Sequence, residues 1–375
     1  MRVAFDVSYI QHRCGGIGRY SLTLLRSLLR AQRSPRFILH GWSLSLNEPL
    51  LRTLESESVR LSIARIPGNV KRLYWDRLRM PPIGSLIGDF DLFHSMDPFA
   101  PSAGGRPVVV TVYDLVSRSH PAFHTKQVAA RDAGIPASLG RAAAVVVPSE
   151  YTRAELIGSG LIDPSLIHVA PPTIPELFTE VRQPADDALL GSLGIRSPYL
   201  LFAGTIEPRK NVPGLLRAFE ALCDRGSMPD LVLAGKTGWM SGQVLPYIQS
   251  SRHAARIRHL DYVTDGTLAA LYRNALCFIY PSFVEGYGLP VAEAMASGVP
   301  VITSNSSGMA EIAGEGAMLI DPHSHESLME ALDGMIASAA TRESFRARGL
   351  RQAAVLRAGN GAEIVSRLYV KLGGS

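Results

Sequence analysis

The sequence predicts an α/β protein built on two doubly wound parallel sheets, one in each half of the chain. Short apolar runs alternate with longer amphipathic stretches along almost the whole length. Strands alternating with helices in this way build parallel sheets. The alternation breaks once, at the proline-rich stretch 171–175 and at Gln183-Pro184-Ala185-Asp186-Asp187, and then restarts. The 375 residues are enough for two sizeable cores, at roughly 150 residues per domain.

In the first half, the runs at 3–7, 37–41, 61–64, 91–94, 108–113, 143–147 and 167–170 read as strands. Helical patterns lie between them at 17–33, 70–79, 125–140 and 151–158. In the second half, strands are expected at 199–203, 231–234, 257–260, 276–280, 299–303 and 317–320. Helices are expected at 212–224, 267–274, 290–297, 326–337 and 341–356, and a last one at about 361–372 follows Gly359-Asn360-Gly361. The chain thus divides into an N-terminal domain 1–174, a linker 175–195, a C-terminal domain 196–356 and a closing helical segment 357–375. Two such halves are expected to bind a ligand in the cleft between them, at the carboxyl ends of strands.

Composition removes several classes. With 46% hydrophobic and 19% charged residues the chain is not disordered. Cys14, Cys223 and Cys277 show no C-x-x-C spacing. That excludes a disulfide scaffold and a structural zinc cluster, and it suits a reducing compartment. Asp6 interrupts the apolar run Val3-Ala4-Phe5, so no signal peptide is expected. No stretch approaches the ~18 apolar residues of a membrane span, and a cytoplasmic protein is expected.

The net charge of +5 is uneven: residues 1–175 hold 20 Lys and Arg against 13 Asp and Glu, and the remainder 18 against 20. A basic first half and a near-neutral second half suggest different partners. The excess is too small for a nucleic-acid protein, and none is expected as partner. It suits an anionic lipid surface or a phosphorylated substrate.

Three segments carry chemistry. Gly15-Gly16-Ile17-Gly18 follows the first strand and opens the first helix. Its backbone N–H groups can approach a phosphate or sugar, although a tight strand-to-helix turn explains the same glycines. A nicotinamide site is not expected, because the second strand ends at His40-Gly41 without an acid. The strongest signal is the block 282–294, Ser-Phe-Val-Glu-Gly-Tyr-Gly-Leu-Pro-Val-Ala-Glu-Ala. Pro290 suits a first helical position, so Gly286, Tyr287, Gly288 and Leu289 present N–H groups to an anion. Glu285 and Glu293 flank that turn and reach one ligand from one side. Third, Gly204-Thr205-Ile206-Glu207-Pro208-Arg209-Lys210-Asn211 places two adjacent cations at a strand's carboxyl end, where they can neutralise a diphosphate.

On these residues the chain resembles the retaining nucleotide-sugar glycosyltransferases of family 4, which have the GT-B fold. The likeness includes 204–211, 234–239, 261–272, 280–298 and 305–321, and more weakly 15–20 and 91–94. It covers nearly the whole chain. The resemblance implies that the C-terminal domain holds the nucleotide sugar and the N-terminal domain most of the acceptor. It assigns Glu293 to the ribose and Glu285 to the donor sugar's hydroxyls. Tyr287, Gly288 and Leu289 lie along the sugar and diphosphate, and Arg209 and Lys210 hold the diphosphate. Gly15, Gly16, Gly204, Thr205 and Gly286 complete the donor-binding set.

Two departures stand out. Many relatives carry Arg where this chain has Thr205, and many read His-Asp-Leu where it has Tyr113-Asp114-Leu115. Asp114 and the nearby His120 are the acceptor-side candidates, with Tyr113 as the alternative and a solvated role open for His120. Asp89-Phe90-Asp91 imitates a D-x-D metal motif but sits at the entrance to a strand, so no metal is expected. No cofactor is expected beyond the donor substrate. Residues 71–79 mix basic and aromatic side chains, as a surface helix or a lipid-headgroup contact would.

The reading is transfer of a sugar from a nucleoside diphosphate, GDP-mannose first, to a hydroxyl of a glycan or lipid-linked acceptor at the inner face of a membrane. The resemblance implies retention of configuration. No clear carboxylate nucleophile is present, which favours same-face attack, with double displacement open. The alternatives are a nucleotide-sugar epimerase of the same fold and a non-catalytic binding subunit.

Overall fold

Each half of the chain folds around a parallel sheet. The computed structural model describes residues 1–374 except 32–33, 67–81, 133 and 227. The surface helix expected at 70–79 lies outside these residues. The chain groups into two units: Met1–Leu115 with Gln127–Thr173 and Gly359–Ser375, and Val116–Lys126 with Ile174–Ala358.

The first unit holds β1 (Arg2–Asp6), β2 (Arg36–Gly41), β3 (Val59–Ile63), β4 (Leu92–Ser95), β5 (Val108–Thr111), β6 (Ala144–Val147) and β7 (Ile167–Val169). Their order is β3-β2-β1-β4-β5-β6-β7, and the pairs are parallel, with Val3 beside Phe37 on one side and Leu92 on the other. The second unit holds β8 (Tyr199–Ala203), β9 (Asp230–Ala234), β10 (Ile257–Leu260), β11 (Cys277–Tyr280), β12 (Val301–Ser304) and β13 (Met318–Ile320). These run β10-β9-β8-β11-β12-β13, also parallel. In both sheets the strand order reverses beside the unit's first strand. The crevice at such a reversal, at the carboxyl ends, is where doubly wound sheets bind ligands. In the second unit the loops there are those after β8 and β11.

Central strands are apolar throughout because helices cover both faces of the sheet. Tyr199–Ala203 and Cys277–Tyr280 are buried at every position. Helix boundaries follow local chemistry. The single helix expected at 125–140 is two, Lys126–Asp132 and Ile135–Leu139. Pro136 cannot sit inside a helix but fits its first turn, so the chain restarts there. The helix expected from Pro290 begins one residue earlier, at Leu289, with Gly288 as its cap at φ +97°. The strand expected to Tyr113 ends at Thr111.

Residues 175–195, expected as a linker, contribute the helix Asp186–Ser192 and the buried Phe178 and Leu190 to the core of the second unit. The Asp186 carboxylate accepts from Arg273 Nε at 3.0 Å and Nη2 at 2.8 Å. This buried bidentate pair ties the segment to the helix Asp265–Asn274.

The last helix, Gly361–Gly373, belongs to the first unit and buries Val365, Leu368 and Tyr369 there. Tyr369 Oη lies 2.5 Å from His94 Nδ1, and His94 Nε2 lies 2.8 Å from Thr111 Oγ1. A Cβ at Gly361 would stand 2.2 Å from the Pro171 carbonyl, so the helix can begin that close to the chain only with glycine. Among the described residues no helix is long and apolar enough to cross a membrane.

Candidate active site

The second unit brings Arg209, Lys210 and Glu285 into one buried cluster. Tyr199–Ala203 delivers the loop 204–211, whose three-residue 3-10 turn Pro208–Lys210 lifts both cations toward the neighbouring loop. Cys277–Tyr280 delivers the loop 281–288. The two are stitched by the Phe283 N–H, which donates to the Arg209 carbonyl at 2.8 Å.

Glu285 is the hub. Its Oε2 accepts from Arg209 Nη1, and its Oε1 accepts from Lys210 Nζ and, at 3.0 Å, from Tyr280 Oη. Lys210 Nζ also donates to Tyr280 Oη and stands 4.7 Å from that ring's centre. On the other side Arg209 Nε pairs with Glu207 at 2.7 Å. Glu207, Lys210 and Glu285 are all buried. Both backbone groups of Glu285 are also held. Its N–H donates to Ser307 Oγ at 3.1 Å, and its carbonyl accepts from the Gly308 N–H at 3.0 Å. Ser307 adopts φ +57° to do this, a left-handed conformation uncommon outside glycine.

Electrostatics follow from this packing. Burial alone raises a carboxyl's pKa, but Arg209 and Lys210 outweigh it and bring Glu285 down to about 2. Burial, with Arg209 beside it, pushes Lys210 below its ordinary value, while Glu285 and Glu207 oppose that shift. Burial and then Glu285 push the Tyr280 hydroxyl far up, so it remains a donor.

The rest of the block lies alongside. Gly288 caps the helix Leu289–Ala296, and Glu293 is buried on it. Tyr287 is buried, and its hydroxyl has no hydrogen-bond partner among the described residues. Burial and the nearby Glu311 raise its pKa. Gly204, at φ +150°, donates its N–H to the Ala234 carbonyl at 2.9 Å. The neighbouring Thr205 turns its methyl toward Gly238.

Gly15, Gly16 and Asp114 belong to the first unit, and His120 to the second. Nothing stands within 4 Å of where a Cβ would be at Gly15 or Gly16, whereas at Gly18 it would meet the Tyr9 carbonyl at 2.3 Å. His120 is exposed, bonded through Nδ1 to Ser119 Oγ at 3.0 Å and stacked on Phe123. Tyr113 packs edge-on against Tyr20, and its hydroxyl donates to the Met96 carbonyl at 3.3 Å. Of the doubtful metal motif, Asp91 accepts from the Arg2 N–H at 2.7 Å and Asp89 pairs with the Arg2 side chain at 3.8 Å.

Sequence reasoning missed Tyr280, Glu207 and Ser307. Tyr280 was the most legible of these, as a hydroxyl at the carboxyl end of an otherwise apolar strand. Ser307 gave no signal, because its role depends on a loop twenty-two residues away meeting it.

A buried carboxylate locked onto two cations beside a glycine-capped helix, at a sheet's reversal point, agrees with the sequence comparisons. The Glycosyltransferase Family 4 profile matches residues 14–176, and the Glycosyl transferases group 1 profile matches 192–352. O-antigen chain mannosyltransferase B of Escherichia coli is 30% identical over 368 residues, 94% of this chain and 95% of that protein. The chain belongs to the family 4 glycosyltransferases. A D-inositol 3-phosphate glycosyltransferase of Nocardioides sp. (strain ATCC BAA-499 / JS614) is 26% identical over 90% of this glycosyltransferase and 81% of its own length. Among solved structures, sucrose-phosphate synthase of Thermosynechococcus elongatus superposes with TM-score 0.76 at 19% identity, covering 100% of this chain and 99% of its own. Anabaena Alr3699/HepE in complex with UDP and glucose superposes with TM-score 0.74 at 17% identity over the whole of both chains. These structures share the fold, which is GT-B.

Proposed function

We propose that this glycosyltransferase moves mannose from GDP-mannose, with retention, to a hydroxyl of a glycan or lipid-linked acceptor of bacterial surface polysaccharide. The observation that carries the reading is the 30% identity to O-antigen chain mannosyltransferase B across nearly the full length of both proteins.

In this reading Glu293 grips the ribose and Glu285 faces the donor sugar. The diphosphate lies along Arg209, Lys210 and residues 286–289. As the bond from the anomeric carbon to the phosphate oxygen breaks, negative charge grows on the departing diphosphate. Arg209 and Lys210 are already fixed by Glu207, Glu285 and Tyr280, so they meet that charge without reorganising. The ionised Glu285 faces the positive charge on the flattening ring. The acceptor oxygen attacks from the same face and passes its proton to the leaving phosphate. This scheme uses no metal and no further cofactor. The first unit holds most of the acceptor, with Asp114 and either His120 or Tyr113 as the acceptor-side groups, while its Gly15 and Gly16 complete the donor-binding set.

A thermal-shift panel with GDP, UDP, ADP and dTDP tests the base. A nucleotide at 100 times its dissociation constant stabilises the fold by about 2.7 kcal/mol, and GDP is expected to give the largest shift. GDP-mannose is then incubated with and without an acceptor mixture. Acceptor-dependent release of GDP supports transfer, interconversion of the free sugar nucleotide identifies an epimerase, and binding without turnover identifies a binding subunit. Attachment at the inner face of a membrane predicts binding to anionic vesicles that high salt reverses. Equal binding to neutral vesicles counts against it.

A further inference from the structure

The segment Val116–Lys126 is flanked in sequence by the first unit but groups with the second. Its contacts there converge on Phe123. The Phe123 ring stacks on Phe283, with centres 5.4 Å apart and planes within 8°. His120 also stacks with Phe123 at 5.9 Å and 9°, and His323 stacks with Phe283 at 4.9 Å and 30°. The Phe123 carbonyl accepts from Trp239 Nε1 at 2.8 Å, and Trp239 in turn stacks with His124.

One partner of Phe123, Phe283, belongs to a loop that builds the site, and the other, Trp239, to the stretch after β9 that is bonded to the second such loop. Phe283 precedes Glu285 by two residues, and its N–H is the one bonded to the Arg209 carbonyl. Trp239 follows Gly238, whose N–H donates to the Ile206 carbonyl at 2.8 Å, and the Ile206 N–H donates to the Lys236 carbonyl at 2.9 Å. Trp239 is thereby stitched to the loop that carries Arg209 and Lys210. One residue uses its ring on the Glu285 loop and its carbonyl on the neighbour of the Arg209 loop.

We propose that Phe123, together with Trp239, is a positioning residue for glycosyl transfer, bracing the Glu285 loop against the Arg209–Lys210 loop so that carboxylate and cations stay in register. The proposal rests on the reading of Glu285 and Arg209 as site residues. Small displacements at a reacting centre cost large factors in rate, so an unbraced site loses turnover before it loses binding.

The test uses the full chain, four single variants and the double variant Phe123→Ala/Trp239→Phe, with GDP-mannose and, in parallel, UDP-, ADP- and dTDP-glucose as donors. Phe123→Ala removes the ring and leaves the carbonyl. Trp239→Phe removes the N–H donor and leaves a ring. Phe123→Tyr restores the stack, and Glu285→Gln reports on the site itself. Phe123→Ala and Trp239→Phe are each expected to lower kcat about tenfold with donor KM within about twofold and the melting temperature unchanged. Phe123→Tyr is expected to retain wild-type kcat, and the double variant to lose little more than either single one, because the two act as a unit. If Glu285→Gln lowers kcat while Phe123→Ala keeps it within twofold of wild type, the brace is wrong and the site reading stands. If Glu285→Gln has no effect, the site reading fails and the brace falls with it. A Phe123→Ala loss that tracks only the folded fraction, or lies wholly in KM, also overturns the proposal.

Discussion

Glu285 is ionised well below neutral pH, because the partly buried Arg209 and the buried Lys210 hold its carboxyl down at about 2. A carboxylate depressed from its ordinary value contributes stability above about pH 4.5, and that contribution is lost only as pH falls toward 2. Any acid limb of kcat between pH 4 and 7 therefore belongs to another group. Glu285→Gln is expected to lower kcat by ~10²-fold at every pH without moving that limb. A limb near pH 4.5 that vanishes in Glu285→Gln would falsify the cluster as described. Glu293 is expected to differ. The ribose it is proposed to hold does not change during reaction, so Glu293→Gln should raise the donor KM with kcat nearly intact. Steady-state kinetics with varied donor separates the two. The sequence singled out both acids and both cations, because their spacing around two glycines and a proline is local. It did not show that Glu285 pairs directly with Arg209 and Lys210, because that contact joins loops after two strands far apart in sequence.

At the scale of elements, crowding decides which glycines are structural. Gly18 faces the Tyr9 carbonyl and Gly308 faces the Gly286 carbonyl, each closer than 2.5 Å to a would-be Cβ. Neither neighbour is a side chain that could swing away. Gly18→Ala and Gly308→Ala are each expected to cost roughly 1–3 kcal/mol, and Gly308→Ala also to raise donor KM through the displaced 286–288 loop. Gly16→Ala meets open space and is expected to change stability by no more than about 0.5 kcal/mol. A loss of activity there without a loss of stability would mark a ligand contact. Denaturant melts of the three variants check this order. The sequence picked Gly15 and Gly16 for their position ahead of a helix. It could not single out Gly18, because the clash depends on how residues 9–14 turn back. The segment 175–195 shows the same limit. Its prolines and polar residues read as a linker, but Asp186 finds Arg273 and becomes part of a core.

At the scale of the molecule, the first unit is closed by the chain's last helix. Its Tyr369 meets His94, whose burial pushes the imidazole down to about 3. A histidine kept neutral when folded binds a proton only when unfolded below about pH 6.5. The sign therefore runs toward acid destabilisation, at about 1.4 kcal/mol per pH unit from this group between pH 6.5 and 3. His94→Gln is expected to flatten the fall in melting temperature between pH 6.5 and 4.5, and an unchanged slope would refute it. Deleting residues 359–375 removes Val365, Leu368 and Tyr369 from that core. The deletion is expected to expose the first unit to proteolysis while leaving the helix Leu289–Ala296 protected, as limited digestion would show.

The sequence by itself determined the two parallel α/β halves, the order of most strands and helices, and the residue types of the block 282–294. These rest on periodicity, on proline and glycine at helix starts, and on motifs within a few residues of each other. Tertiary structure alone decided that Tyr280, Glu207 and Ser307 complete the cluster, that Phe178, Asp186, Leu190 and Ile195 of the segment 175–195 are buried in the second unit, and that Val116–Lys126 groups with that unit. Each of these depends on long-range closure in a parallel sheet. There neighbouring strands such as β8 and β11 lie side by side after more than seventy intervening residues, and nothing in the local pattern of either one names its partner.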